Sequence, residues 1–157
     1  MRRCKRSVCL TLVIVSMASV AFGDIQIIGL SDIDFGLITP GGNTVVASDS
    51  FCVYTNAPSQ ESQYEVEACG AGSGGDYDLQ DSHANKLPYS VSWSDGSKSR
   101  KLSCGKFIKS FALSALPQCG GGNNVTLELE IKQNDFKLSS VVAGSYGGSL
   151  FLTVMPR

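Results

Sequence analysis

The sequence contains little charge, almost no histidine and no long helical periodicity. Charged residues make up 17% of the chain, and there is one histidine. A single histidine excludes a histidine-rich metal site and disfavours acid–base catalysis by imidazole. Glycine, in contrast, is abundant, with 17 residues. Low charge and many glycines favour a loop-rich β protein over a helical one.

The chain divides into two segments of opposite charge. Residues 1–23 carry four cations and no acid, whereas residues 24–157 carry 9 bases and 14 acids, a net charge of −5. An acidic remainder disfavours nucleic acid as a partner, because phosphate requires a basic surface. The length of this remainder suits one domain with a core of useful size.

The N-terminal segment has the three parts of a secretory signal. Its cations precede an apolar run from Val8 to Val15, and a small-x-small cleavage site follows at Ala21–Gly23. The apolar run is shorter than the ~20 residues that span a bilayer, which disfavours a membrane anchor. We therefore predict a signal peptide over residues 1–23, export of one domain over residues 24–157, and no membrane span after cleavage.

Four cysteines remain after the predicted cleavage: Cys52, Cys69, Cys104 and Cys119. In an oxidising compartment an even number of cysteines indicates disulfides, and four can pair in three ways. Sequential pairing, Cys52 with Cys69 and Cys104 with Cys119, would close two loops of similar length. A four-thiolate zinc site is the alternative, but structural zinc usually takes C-x₂₋₄-C pairs, which are absent here.

Period-two alternation recurs along residues 24–157 and predicts strands. The first is a strand pair running from Ile25 to Phe35, with a bulge at Ile28-Gly29. Further strands are expected within 45–54, 64–68, 77–79, 87–93, 107–113, 125–131 and 150–154. Turn signals separate them, and this spacing predicts an all-β antiparallel sandwich. Trp93 is expected in its core.

The last predicted strand is apolar on both faces, since Phe151 and Met155 alternate with three aliphatic residues, Leu150, Leu152 and Val154. A strand that ends a fold usually lies at an edge and is blunted by charge or proline. Two interpretations follow. The strand is either central, with neighbours on both sides within its own domain, or it borders a groove that another chain fills.

Several segments resemble the spore coat protein U type domain. The motif Ser31-Asp-Ile-Asp-Phe-Gly36 is similar to its "L-x-F-G" motif, and Leu87-Pro-Tyr-Ser-Val91 to its "L-x-Y-x-[VL]" strand. Phe51–Tyr54 and Tyr64–Ala68 resemble its second and third strands. The ending from Ala143 to Val154 resembles "G-x-Y-x-[DG]-[TS]-[LV]-x-[LV]-T-V". The similarity covers most of residues 30–157.

This family contains subunits of archaic chaperone–usher pili. The resemblance implies an immunoglobulin-like sandwich that lacks its last strand and exposes a donor-strand groove bordered by Tyr146, Leu150, Leu152 and Val154. It implies a periplasmic chaperone, an outer-membrane usher and neighbouring pilus subunits as partners, and a fimbrial location at the cell surface. Adhesion and biofilm formation are the expected roles. A strand added to the groove would bind by backbone hydrogen bonds and alternate side chains.

One departure from the family concerns the donor segment. Only Asp24–Leu30 precede the Ser31–Gly36 motif after the predicted cleavage, and the family's usual cysteine there is missing. These residues can form the first domain strand or a donor strand, but not both. A subunit at the tip or terminus of a pilus fits this arrangement better than a shaft subunit.

Other candidate sites are weak. The glycine run Gly70–Gly75 matches G-x-G-x-x-G, but the helix that a dinucleotide site requires does not follow. Asp76, Asp78 and Asp81 lack the loop pattern of a calcium site. His83 has no "G-x-S-x-G" partner motif. We therefore expect no enzyme and no cofactor; the alternative to a pilus subunit is a free-standing secreted β-sandwich binding module.

Overall fold

The structure, a computed structural model, describes residues 24–36, 43–56, 63–96, 98–135 and 144–157. The predicted signal peptide lies outside the described residues. The strands are β1 (Ile25–Ile28), β2 (Val45–Thr55), β3 (Tyr64–Gly70), β4 (Asp78–Gln80), β5 (Lys86–Pro88), β6 (Ser90–Ser94), β7 (Ser99–Lys101), β8 (Ile108–Ser110), β9 (Val125–Ile131) and β10 (Leu150–Pro156). Two short 3₁₀ turns, Ser73–Gly75 and Pro117–Gly121, complete the secondary structure of these residues.

The strands form two antiparallel sheets and a separate hairpin. The larger sheet has the order β1-β2-β9-β6-β7, the smaller one has the order β10-β3-β8, and β4 pairs with β5. Apolar side chains from both sheets enclose Trp93, which is fully buried and meets the rings of Phe51 and Tyr64 edge to face. The predicted all-β sandwich is confirmed, and so is the place of Trp93 in its core.

The central strands follow directly from the sequence pattern. In β9, four aliphatic residues alternate with Thr126, Glu128 and Glu130, and every aliphatic one is buried. In β3, Val66 and Ala68 face the core while Glu65 and Glu67 face outward. This alternation gives each sheet one dry face and one wet face, and burial of the dry faces stabilises the fold.

The segment from Leu87 to Trp93, predicted as one strand, is divided between two sheets. Residues up to Pro88 pair with β4, whereas residues from Ser90 pair with β9 and β7. Proline has no backbone N–H to continue a ladder, so the chain changes partner here. Tyr89 sits between the two strands and donates its backbone N–H to the carbonyl of Tyr77 at 2.9 Å.

The first predicted strand pair is also shorter than the pattern suggested. β1 ends at Ile28, and Gly29 follows with a φ of +87°, a conformation that glycine adopts without strain. Ile33 and Phe35 are outside regular strands, yet both pack half-buried against the core. The alternation of apolar residues therefore predicted which residues face the core, but it did not predict which of them form strand hydrogen bonds.

The disulfides join Cys52 to Cys119 and Cys69 to Cys104, so the sequential pairing is wrong. Cys52 lies on β2 and Cys69 on β3, and these strands belong to different sheets. The loop that carries Cys119 instead packs along β2, where Ser114 and Thr55 are hydrogen-bonded through their backbones. The larger bridge spans 67 residues and encloses the smaller one, which spans 35.

A polar network is buried at one end of the core. The Trp93 indole N–H donates to the Ser110 hydroxyl at 3.2 Å, and that hydroxyl donates to the Asp95 carboxylate, also at 3.2 Å. Arg100 forms an ion pair with the same carboxylate. These contacts fasten β8 to the turn between β6 and β7 and give the buried polar groups of Trp93, Ser110 and Asp95 hydrogen-bond partners.

Candidate strand-binding edge

The last strand, β10, has one paired edge and one unpaired edge. Its paired edge meets β3 along its whole length, from Leu150 opposite Gly70 to Pro156 opposite Tyr64. Among the described residues no strand pairs with the other edge, and β1 likewise pairs only with β2. β1 and β10 belong to different sheets but contact each other, so their unpaired edges border the same side of the sandwich.

The described residues cover the core incompletely on that side. On the neighbouring strand β3, Val66 and Ala68 have no exposed surface at all. The inward side chains at these two edges also pack against the core but are only partly buried. They are Ile25 and Ile27 on β1 and Leu150, Leu152 and Val154 on β10. We call these five side chains the open side of the sandwich.

Three of the four groove residues predicted from the sequence thus lie together on one face of β10. Tyr146 does not belong to that strand, because it precedes β10 next to Gly147, whose backbone forms a bridge with Gln80. Its ring is half-buried and packs against the core. Tyr146 therefore lies beside the β4–β5 hairpin, before the open side begins.

Sequence reasoning did not assign Ile25 and Ile27 to this site. Their alternation with Gln26 predicted a strand, but a strand pattern does not say which edge will stay unpaired. β1 pairs with the end of β2, from Ile25 opposite Thr55 to Ile28 opposite Cys52. This pairing includes Ile25–Ile28, the central part of the segment Asp24–Leu30.

The outer face of β10 is apolar as well. Phe151 is 61% exposed and Met155 is 37% exposed, with Thr153 between them. The residues opposite Thr153 and Met155 on β3 are Glu67 and Glu65. Hydrophobic side chains on this outer face are therefore next to the open edge, while acidic side chains occupy the middle of the sheet.

The polar residues that the sequence suggested as candidate sites interact with other residues of the β4–β5 hairpin. The Lys86 ammonium lies 2.8 Å from the Asp78 carboxylate. Asp81 accepts hydrogen bonds from the backbone N–H groups of His83 and Asn85, each at 2.8 Å. A further hydrogen bond from the Asn85 side chain is the main reason why the pKa of Asp81 is lowered. These contacts are those of a tight turn.

One group of metal-binding side chains exists among the described residues: Glu67, Cys69 and Cys104. Both sulfur atoms are joined in a disulfide, so neither is a thiolate that could bind zinc. The Glu67 carboxylate instead accepts the backbone N–H of Gly105. The described residues contain no helix that is long and apolar enough to cross a membrane.

The fold is similar to that of three solved structures from work on CFA/I fimbriae. One similar structure is from work on a chaperone–tip adhesin complex in CFA/I fimbriae biogenesis; it is 22% identical, has a TM-score of 0.60, and the match covers 85% of this chain and 42% of that one. A second is CfaE, the adhesive subunit of CFA/I fimbria of enterotoxigenic Escherichia coli, 18% identical with a TM-score of 0.51, covering 78% of this chain and 39% of that one.

A mutant of the same enterotoxigenic E. coli adhesin, CfaE, is 19% identical with a TM-score of 0.58, and the match covers 86% of this chain and 43% of that one. Each match thus covers less than half the length of the chain it is compared with. No family model and no curated protein matches the sequence. The resemblance to the spore coat protein U type domain is therefore not confirmed, whereas a pilin-like fold is supported.

Proposed function

We propose that this protein is a structural or tip subunit of a chaperone–usher surface pilus that is completed by a strand from another chain. The observation that carries the proposal is the open side, where apolar core residues stay only partly buried between two strand edges that no described strand pairs with. An added strand would pair with the backbone of β10 and bury these side chains. Adhesion and biofilm formation would be the roles of the assembled pilus.

The exposed groove also indicates the order in which partners would bind. An exposed apolar groove beside an unpaired edge is prone to aggregation, so an exported subunit needs it covered from the start. A periplasmic chaperone would cover it first, an outer-membrane usher would receive the complex, and a neighbouring subunit would then supply the permanent strand. The export signal predicted over residues 1–23 supports this route to the cell surface.

A position at the tip or terminus of the pilus is part of the proposal. The pairing of Ile25–Ile28 with β2 supports a domain role for Asp24–Leu30, which leaves these residues unavailable as a donor strand. A subunit that receives a strand without donating one ends a fibre. Truncation within Asp24–Leu30 tests this point: loss of folding supports the domain strand, while intact folding with lost polymerisation supports a donor.

We propose a binding role rather than catalysis. The one histidine, His83, lies at the tip of the β4–β5 hairpin with 83% of its side chain exposed. Its nearest carboxylate, that of Asp81, lies 4.0 Å from Nδ1 and already accepts hydrogen bonds from the hairpin. General acid–base catalysis would need groups that converge on a substrate, and this turn is organised around its own backbone.

The test is to supply the missing strand within one chain. Residues 24–157 would be extended after Arg157 by a short turn and seven residues that alternate valine and threonine. In the matched control, the same residues would be arranged as a valine block followed by a threonine block. We expect the alternating extension to give a soluble monomer whose melting temperature is about 10 °C higher than that of the control.

The opposite result distinguishes the alternative function. If the unextended domain is a stable monomer and the alternating extension adds nothing, the sandwich closes on itself. The protein would then be a free-standing secreted binding module. Co-expression with a periplasmic chaperone followed by size-exclusion chromatography gives an independent check, because a pilus subunit is expected to be recovered mainly as a 1:1 complex.

A further inference from the structure

We propose that the partner strand which covers the open side also contacts the outer face of β10 through Phe151 and Met155. This inference rests on the proposed function and goes beyond it, because it states a second requirement on the partner. The partner would need apolar side chains on both of its faces, those of one face pointing into the core and two of the other lying against Phe151 and Met155.

The first argument is the position of these side chains on an edge strand. Phe151 and Met155 alternate with the inward residues of β10, so they point away from the core. A strand added to β10 would bring its own outward side chains to about 4.5–5.5 Å from them, measured between Cβ atoms. The same added strand that covers the open side therefore reaches both residues without any rearrangement.

The second argument is the composition of the edge. Natural sheets protect an exposed edge with charged side chains, which water solvates and a neighbouring strand does not. In this sheet the acids Glu65 and Glu67 lie on the inner strand β3, while the edge strand carries an exposed phenylalanine and an exposed methionine and is blunted only at its end, by Pro156 and by Arg157, which pairs with Glu65. This order is the reverse of that expected for an edge that stays in water.

The spacing of the two residues specifies the partner. Phe151 and Met155 are four positions apart, which is about 13 Å along a strand. Thr153 lies between them, opposite Glu67. The complementary outer face therefore consists of two apolar side chains, also four positions apart, on either side of a small or polar one.

The test uses the exported protein and two synthetic peptides with a seven-residue core that reads the same in both directions. One peptide has valine at positions 1, 3, 5 and 7 and threonine at 2, 4 and 6; the other has leucine at positions 2 and 6. Terminal lysines keep both soluble. Affinities measured by fluorescence anisotropy should favour the leucine peptide by about three- to tenfold.

Variants assign that preference to the outer face. We expect Phe151→Ser and Met155→Ser each to weaken binding of the leucine peptide more than binding of the peptide with threonine at positions 2 and 6, so that the preference falls toward one. Phe111→Ser is the matched control, because Phe111 is 63% exposed but follows β8, at the opposite edge of the same sheet. Two variants keep the test valid if one of them folds poorly.

The outcomes separate this inference from the proposed function. If both peptides bind wild-type protein equally, or if the preference survives in Phe151→Ser and Met155→Ser, the outer contact is wrong and the strand-binding function stands. If neither peptide binds and the protein is a symmetric dimer instead, both are wrong, because a second copy then covers the edge.

Discussion

At the scale of single residues, one side-chain amide performs a role that no sequence pattern indicated. Asn124 accepts the backbone N–H of Val53 and donates to the carbonyls of Val53 and Ala112, each at 2.8 Å. The amide thus provides the hydrogen bonds that β9 no longer makes to β2 beyond Phe51. The sequence placed Trp93 in the core because large aromatic residues are usually buried there, but nothing local distinguishes Asn124 from Asn123.

We expect Asn124→Ala to lower the free energy of unfolding by about 1–3 kcal/mol, because it removes the partner of the buried Val53 backbone N–H, while the Val53 carbonyl keeps the backbone N–H of Ser114. Asn123→Ala is the matched control, since Asn123 is the exposed neighbouring residue. Urea denaturation of both variants measures the difference. Equal stability of the two variants would contradict the role given to the Asn124 amide.

Burial raises the pKa of the Tyr64 hydroxyl to about 12. The folded protein therefore holds this proton more tightly than the unfolded chain, whose tyrosine has a pKa near 10. The resulting stability is complete below pH 10 and is lost as the pH rises toward 12. We expect the free energy of unfolding of wild-type protein to fall by about 2 kcal/mol relative to Tyr64→Phe between pH 9 and 12.

At the scale of strands, the sequence predicted which side chains face the core much better than which strands pair with each other. Alternation identified the buried faces of β3 and β9, because polar and apolar residues strictly alternate there. It did not separate β5 from β6, since the inward residues Leu87, Tyr89 and Val91 keep the same period while the chain changes partner at Pro88. Pairing depends on contacts distant in sequence, which period-two alternation does not encode.

The open side makes a specific prediction for β10. In the protein extended by an alternating strand, we expect Leu152→Asp to abolish the gain in melting temperature, because it would place a charge opposite the added side chains. Thr153→Asp is the control on the outward face of the same strand and should keep at least half of the gain. A similar loss in both variants would indicate that the added strand does not lie along the open side.

At the scale of the whole molecule, the two disulfides differ in accessibility. Cys104 is exposed, whereas Cys52 is only 3% exposed and lies within the core strand β2. The even number of cysteines predicted two bridges, but their connectivity required the arrangement of the two sheets. Each bridge restricts the unfolded chain and contributes on the order of 4 kcal/mol, with somewhat more from the larger loop.

We expect a dithiol reductant under native conditions to open the Cys69–Cys104 bridge first, since exchange requires access to a sulfur atom. Alkylation of the released thiols followed by peptide mass spectrometry identifies the reduced pair. Cys52–Cys119 should resist until the domain unfolds. Labelling of Cys52 and Cys119 before the other pair would show that the sandwich opens along β2.

If the chain is exported as we propose, the nesting of one bridge inside the other also determines the order in which its disulfides can form. A chain that crosses a membrane from its N-terminus presents Cys52 first and Cys69 next, so the earliest possible bond on the far side is a wrong one. Cys52 can form its native bond only after Cys119 has crossed, whereas Cys69 and Cys104 can pair before that. Correct maturation therefore needs slow oxidation or a thiol–disulfide shuffling enzyme that corrects premature bonds.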